Sequence, residues 1–441
     1  MSRSMQQLVP WRQLVAVGLA LGSSWSQVAA AAPGDHIRAG VVEIVPRVDL
    51  GLIYHSNIYR AETDPSAASN LDVSPGIAVS ASEDDHEFVV DGAWSLQKYV
   101  FVGGTDGDLR STRIANLDRF DTFNVGASAA LFKRSVVGLK LSNDTIQRNW
   151  TIDSEEADVP YITQFRNAFG AGLRTNPAPA LEITPGFQWT YDAFRAPLLD
   201  ASQDDRSLNK RTMLGGKLDA KWAFLPRTAL VGRFDYSNNS WAQNVVTSQV
   251  GGGGSGQLAI PNSSFVKGSF GIDGRFTERV SALALLGFGT SFFSADSVSG
   301  AVAPALDAMS ATDGILVKAQ LKYAIVPSSE TTPGAAINLG YVKDFRSSFF
   351  TNYVAYNQLF AEFRGQFDRL EPSLRYEVRF EGYEGAVQRN DLVHVLRGGM
   401  GVQAAKFARF DGSLGYLVRT SSIDTIEYND VHLVLGATFV Y

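Results

Sequence analysis

Residues 373–382 alternate without a break. Leu374, Tyr376, Val378, Phe380 and Gly382 fall on one side of an extended chain, and Ser373, Arg375, Glu377, Arg379 and Glu381 on the other. Successive side chains of a β-strand point to opposite faces, so this is a strand with one apolar and one charged face. The pattern recurs along the chain. Leu181, Ile183, Phe187, Trp189 and Tyr191 oppose Glu182, Thr184, Gln188 and Thr190. Val266, Phe270, Ile272 and Phe276 oppose Lys267, Ser269, Asp273 and Arg275. Ile315, Val317, Ala319, Leu321 and Tyr323 oppose Lys318, Gln320 and Lys322, and Leu359, Ala361 and Phe363 oppose Phe360, Glu362 and Arg364. A soluble sandwich produces such strands once or twice. Their repetition predicts an all-β chain whose strands turn one face to lipid and the other to water.

The connections sharpen this. Short polar turns fall near 82–85, 132–135, 175–180, 225–227, 276–279, 327–333, 368–369 and 406–410. Longer connections lie between them, at 57–69, 100–116, 149–160, 193–208, 239–263, 295–311, 346–351, 383–389 and 421–428. Alternation of tight turns with long loops is the asymmetry of a transmembrane antiparallel up-and-down β-barrel, with periplasmic turns and extracellular loops. Each short turn joins two strands. Adding a first strand near 42–55 and a last near 429–441 predicts about eighteen strands, with both termini in the periplasm. In the last strand Val431, Leu433, Leu435, Ala437, Phe439 and Tyr441 share one face, and the chain stops on an aromatic. Phe439 and Tyr441 are the expected barrel-assembly signal, and the barrel-assembly machinery is an expected partner. Closure also removes the aggregation hazard of so apolar an edge.

Composition agrees. Mean hydropathy is -0.04, too polar for a bundle of membrane helices, each of which needs ~20 apolar residues. The N-terminus reads as a secretory signal over 1–30: Arg3 and Arg12, an apolar core at 14–21, and small residues at 29–31. A short periplasmic segment, 31–40, then precedes one barrel domain, 41–441. Without the signal, 37 basic residues stand against 45 acidic ones, which argues against nucleic acid as a partner. There is no Cys, hence no disulfide framework and no thiolate chemistry.

Catalytic and cofactor motifs are sparse. Gly251, Gly253 and Gly256 match a dinucleotide pattern only in letters, within a long loop. Residues 103–108 resemble a weak Ca²⁺ loop but read as an ordinary polar one. Of five His, His394 and His432 are expected near the extracellular ends of their strands as rim or lumen residues. No enzyme activity, cofactor or metal is expected. The inward charges matter more: Arg375, Glu377, Arg379, Glu381, Glu362, Arg364, Lys318 and Lys322, with Phe360, are the candidate lumen lining. They serve either as wall-stiffening pairs or as a charged conduit surface. Phe265 and Tyr99 are further inward aromatics. A barrel of this strand number leaves an aqueous channel, and loop 239–263, the longest, is the first candidate for a constriction.

One segment points to a family. Glu43-Ile-Val-Pro46, Leu50-Gly-Leu-Ile-Tyr54, His55-Ser56-Asn57-Ile58-Tyr59-Arg60 and Leu71-Asp72-Val73-Ser74-Pro75-Gly76 resemble the opening of β-barrel porins encoded in bacterial exopolysaccharide clusters, the EpsL-like group. His55-Ser56 stands where acidic residues are common in that group. The resemblance implies an outer-membrane conduit for a secreted polysaccharide, working with the polymer, outer-membrane lipid and periplasmic export proteins as partners. The alternative is a general or sugar-selective diffusion porin. A barrel enzyme or a structural surface protein is the third class.

Overall fold

The computed structural model describes residues 36–58, 65, 67–103, 118–150, 162–196, 206–242, 245–248, 256–259, 262–293, 312–326, 334–348, 353–384, 388–423 and 427–441. The expected signal peptide and residues 31–35, 104–108 and 251–255 lie outside them. A short β1 (Ile37–Ala39) leads into β2 (Val42–His55), β3 (Ala67–Ser82), β4 (His86–Gly103), β5 (Arg119–Leu131) and β6 (Val137–Trp150). β7 (Ile162–Ala178), β8 (Leu181–Ala196), β9 (Arg206–Leu225) and β10 (Thr228–Trp241) follow. β11 (Val245–Ser248) and β12 (Gly256–Ala259) pair only with each other. The wall resumes with β13 (Ser263–Arg275), β14 (Val280–Phe293), β15 (Thr312–Val326), β16 (Ala335–Ser347) and β17 (Tyr353–Gly365). It ends with β18 (Leu370–Glu384), β19 (Arg389–Ala405), β20 (Ala408–Ser421) and β21 (Tyr428–Val440).

Leaving aside β1, β11 and β12, each strand pairs antiparallel with its sequence neighbours, and β21 returns to β2 from Arg47↔Val440 to His55↔His432. The result is a closed barrel of eighteen strands. The C-terminal aromatic finishes the seam: the Tyr441 amide donates to the Pro46 carbonyl at 3.0 Å. Below that point β1 takes over, pairing Ile37–Ala39 with Val42–Ile44. Part of the expected N-terminal segment thus belongs to the sheet and covers an edge that β21 is too short to reach. The seven expected short turns that lie among the described residues are all at one end of the barrel, and 327–333 lies outside those residues. At the turn after β17, Asp368 adopts φ 53°, a left-handed conformation that Asp tolerates better than most residues.

The two faces are set by register. Leu374, Tyr376 and Phe380 on β18, Leu433, Leu435 and Phe439 on β21, and Phe270 and Ile272 on β13 are large apolar side chains left exposed on one face. The opposite face carries contacts that skip a strand, such as Arg47 on β2 to Asp91 on β4 at 2.5 Å and Arg409 on β20 to Glu371 on β18 at 2.8 Å. Long side chains two strands apart converge only on the concave side, so the charged face is the interior. A closed sheet with satisfied backbone and an apolar exterior is the form in which strands cross a membrane. The chain is a bacterial outer-membrane β-barrel.

Candidate functional site

The inner wall from β16 to β20 is a chain of ion pairs. On β18, Arg375 meets Glu377 at 2.7 Å, and Arg379 bridges Glu377 at 3.3 Å and Glu381 at 3.4 Å. Register places Glu362 opposite Arg375 and Phe360 opposite Glu377. Arg364 holds Glu362 at 2.7 Å, and the Arg375 guanidinium lies 4.5 Å from the Phe360 ring centroid. Seven of the candidate lining residues therefore meet in one patch. Lys318 and Lys322 lie on β15, opposite Val342 and Asn338, outside this chain of ion pairs.

Toward the extracellular end the charges become buried. Arg419 on β20 contacts Glu381 at 2.9 Å and Asp391 at 3.0 Å, and Arg389 contacts Asp391 at 3.0 Å; these four side chains are at most 3 % exposed. The Tyr383 hydroxyl donates to Glu381 at 3.0 Å. Val393, Val395, Leu417 and Tyr428 pack beside them. Arg389, Asp391 and Arg419 follow the same inward alternation as the β18 charges, so strand parity alone could have found them.

A second device narrows this half. The β15–β16 ladder ends at Val317↔Lys343, while β16 and β17 stay paired to Ser347↔Tyr353. The freed hairpin end leaves the wall and lies across the lumen. Phe345 packs on Phe265 of β13, ring centroids 5.7 Å apart, with Tyr353, Phe293 and Leu316 around it. Lys267 of β13 donates to Asp344 Oδ1 at 2.7 Å and sits 4.3 Å from the Phe345 ring centroid. Arg211 Nη1, on β9, donates to Ser347 Oγ at 3.4 Å, a contact from five strands away around the wall. Gly289 on β14 makes the socket: a Cβ there would stand 2.6 Å from Phe345 Cε1. This hairpin narrows the lumen at that level. Of loop 239–263, the expected constriction, β11 and β12 form a separate hairpin outside the barrel sheet. Phe265, expected to face solutes, is buried beneath the strap.

The segment that carried the family resemblance closes the barrel. Asp430 on β21 accepts from His55 Nδ1 at 2.8 Å, from the Ser56 hydroxyl at 3.3 Å and from the Asn57 amide at 3.1 Å. Ser56 and Val431 exchange two further bonds, and Asn57 and Ile58 are buried. His432 lies on the inner face beside His55, ring centroids 5.9 Å apart. His394 corrects the expectation of a rim or lumen residue. In β19 the odd-numbered positions point inward, so His394 faces outward in mid-strand, where its Nδ1 lies 2.8 Å from the Tyr376 hydroxyl. His394 and His432 lie on opposite faces and form no common site. Phe439 is also on the outer face, edge-on to Phe410.

The periplasmic half is open. A cavity of about 760 Å³ is lined by β15–β21, including Lys322, Glu362, Arg364, Arg375, Arg397, Arg409 and Asp411. A second, about 470 Å³, shares Lys322 and adds Asp219, Lys221, Arg233 and Asp273. A third, about 740 Å³, shares Glu182, Thr184 and Asp219 with the second and continues to β4–β7. Together they trace a polar lumen around the wall. Among the described residues no three His, Asp or Glu side chains cluster as a metal site.

No family model matches the chain, and no curated protein matches it by sequence. Among solved structures it is similar to Pseudomonas aeruginosa OpdK with vanillate, at 12% identity and TM-score 0.45, covering 90% of this chain and 99% of that one. It is similar to a BenF-like porin from Pseudomonas fluorescens Pf-5, at 12% identity and TM-score 0.45 with the same coverage. It is also similar to Acinetobacter baumannii OccAB3, at 11% identity and TM-score 0.44, covering 91% and 99%. At these values the likeness adds nothing to the barrel already described.

Proposed function

We propose that this barrel is a passive diffusion channel for small hydrophilic solutes. The observation that carries the reading is the lumen itself. It is polar, charge-lined and open on the periplasmic side, and it narrows where the β16–β17 hairpin crosses to Lys267 and Arg211. A wet wall of paired charges accepts hydrogen-bonding solutes, and a lateral strap sorts them by size. Inward Phe360 beside Arg375 offers an apolar face with a flanking cation, which suits a sugar ring or another flat polar solute.

This favours the diffusion-porin reading over polysaccharide export. An emerging polymer needs a continuous bore, so export would require the strap to swing out of the lumen. The segment resembling exopolysaccharide-associated porins also serves here to clasp β2 to β21, a task any barrel has. Liposome swelling tests the reading. Vesicles carrying the refolded barrel should swell in monosaccharide and disaccharide solutions and resist dextrans. Exclusion of every small solute would overturn it. Loss of polymer secretion in a clean deletion strain, with no change in small-solute uptake, would restore the export reading.

A further inference from the structure

One side of the open lumen, the wall of the cavity of about 760 Å³, carries five basic side chains against three carboxylates. Each of those carboxylates is held by an arginine: Glu362 by Arg364 at 2.7 Å, Glu371 by Arg409 at 2.8 Å and Asp411 by Arg409 at 2.9 Å. Arg397 and Lys322 line the same cavity and pair with no carboxylate among the described residues. Arg397 stands directly opposite Arg375 on the β18–β19 ladder. Like charges facing one another across a ladder destabilise a sheet, so this placement works against the wall. Arg375 is already engaged by Glu377 at 2.7 Å, which leaves Arg397 uncompensated.

The surroundings leave room for a ligand. Gly399 and Gly401 continue the inner face of β19 beyond Arg397, and Gly436 lies in the same lining. Arg409 and Asp411 lie over Gly401 and the Ser373 hydroxyl over Gly399, so the room for a ligand is the cavity of about 760 Å³ in front of these groups. Lys322 is flanked in register by Ser281 and Asn338, neutral groups that hydrogen-bond without cancelling its charge. A guanidinium fork and an ammonium therefore face one water-filled space with no acid assigned to either. A guanidinium binds carboxylate and phosphate oxygens through two parallel hydrogen bonds, and an ammonium adds a point charge.

We propose that this cavity is an oxyanion subsite, in which Arg397 takes the carboxylate or phosphate group of a small solute and Lys322, four strands along the same wall, adds a second positive charge to the field. Its role in traffic rests on the diffusion-channel reading; its binding chemistry does not. Isothermal titration of the refolded barrel with citrate, and separately with inorganic pyrophosphate, tests it, with sucrose as the uncharged comparison. Binding of either anion without sucrose binding, weakened roughly tenfold or more in the Arg397→Gln, Lys322→Gln double variant, is the expected result. Preference for citrate assigns a carboxylate solute, and preference for pyrophosphate a phosphate one. Heat-modifiable gel mobility verifies that the variant is folded. Should it fail to fold, Arg397→Lys replaces it: charge is kept and the fork lost, so anion affinity should fall while sucrose stays inert. Absence of anion binding, or affinity unchanged in the folded variants, overturns the subsite. Planar-bilayer recordings separate the two readings. A conducting barrel that neither anion blocks overturns the subsite alone, and a silent barrel that still binds citrate overturns the channel alone.

Discussion

The two ends of the lumen are built from the same inward alternation of acid and base, yet they behave as different materials. At the extracellular end Arg419, Asp391, Arg389 and Glu381 are at most 3 % exposed and sit among Val393, Val395 and Leu417. At the periplasmic end Arg409, Glu371 and Asp411 are each more than a third exposed and border a cavity of about 760 Å³. Pairing geometry is nearly identical, with contacts of 2.9–3.0 Å at the first and 2.8–2.9 Å at the second. The difference is water. Buried charges are committed to one another because neither can be left alone in a poorly solvated site. Hydrated charges exchange partners with solutes at small cost.

Arg419→Met should break the extracellular end most severely. It removes the cation that Glu381 and Asp391 share, leaving buried carboxylates under-compensated at a cost of about 3–5 kcal/mol. The measurement is the temperature at which the detergent-solubilised barrel loses its folded gel mobility, and a large drop is expected. A change within error would mean that water reaches the cluster and that the two ends are alike.

Phe345→Ala should act on the lumen rather than on the wall. The ring is 3 % exposed, and truncating a buried Phe costs about 3–5 kcal/mol, here charged to the docking of the hairpin. Barrel pairing between β16 and β17 remains, so the fold should survive while single-channel conductance rises. Unchanged conductance would mean that the strap is no constriction. Gly289→Ala attacks the same docking from the socket side. Its added methyl would stand 2.6 Å from the Phe345 ring, so the ring must shift, at about 1–3 kcal/mol. A smaller conductance increase is expected, and combining the two substitutions should add little, because both act on one contact.

The sequence reveals the wall and hides the strap, for one physical reason. Strand parity, turn chemistry and the C-terminal aromatic are local, so β2 at Val42–His55, the seven tight turns among the described residues and the inward charges of β18 are readable residue by residue. Parity even reaches Arg389, Asp391 and Arg419 once β19 and β20 are placed. The strap is decided by contacts distant in sequence: Phe345 with Phe265, Asp344 with Lys267, Ser347 with Arg211. Its connection, at 346–351, is among the shortest on that side, so loop length does not single it out. One local sign is present: Lys343 breaks a face otherwise made of Ile337, Leu339, Tyr341 and Phe345, and the burial of Phe345 follows from the bend rather than from the pattern. His394 is a different case: its level on the strand is legible from the loop pattern, but only strand parity puts it outside.

The smallest expected effect is the most informative about the open end. Arg409→Met removes a cation that bridges Glu371 and Asp411 across β18 and β20. Because all three groups are hydrated, the loss in stability should be within about 1 kcal/mol and should shrink further in high salt. Two carboxylates would then stand uncompensated in the cavity that Arg397 and Lys322 also line. Their field should repel anions, so the ratio of chloride to potassium permeability falls while the unfolding temperature holds. Arg419→Met, at the other end, should show the reverse: a damaged fold, with little change in selectivity among the barrels that remain folded. If Arg409→Met instead destabilised the barrel as much as Arg419→Met, the periplasmic charges would be a structural girdle, and solute traffic would have to be governed by the strap alone.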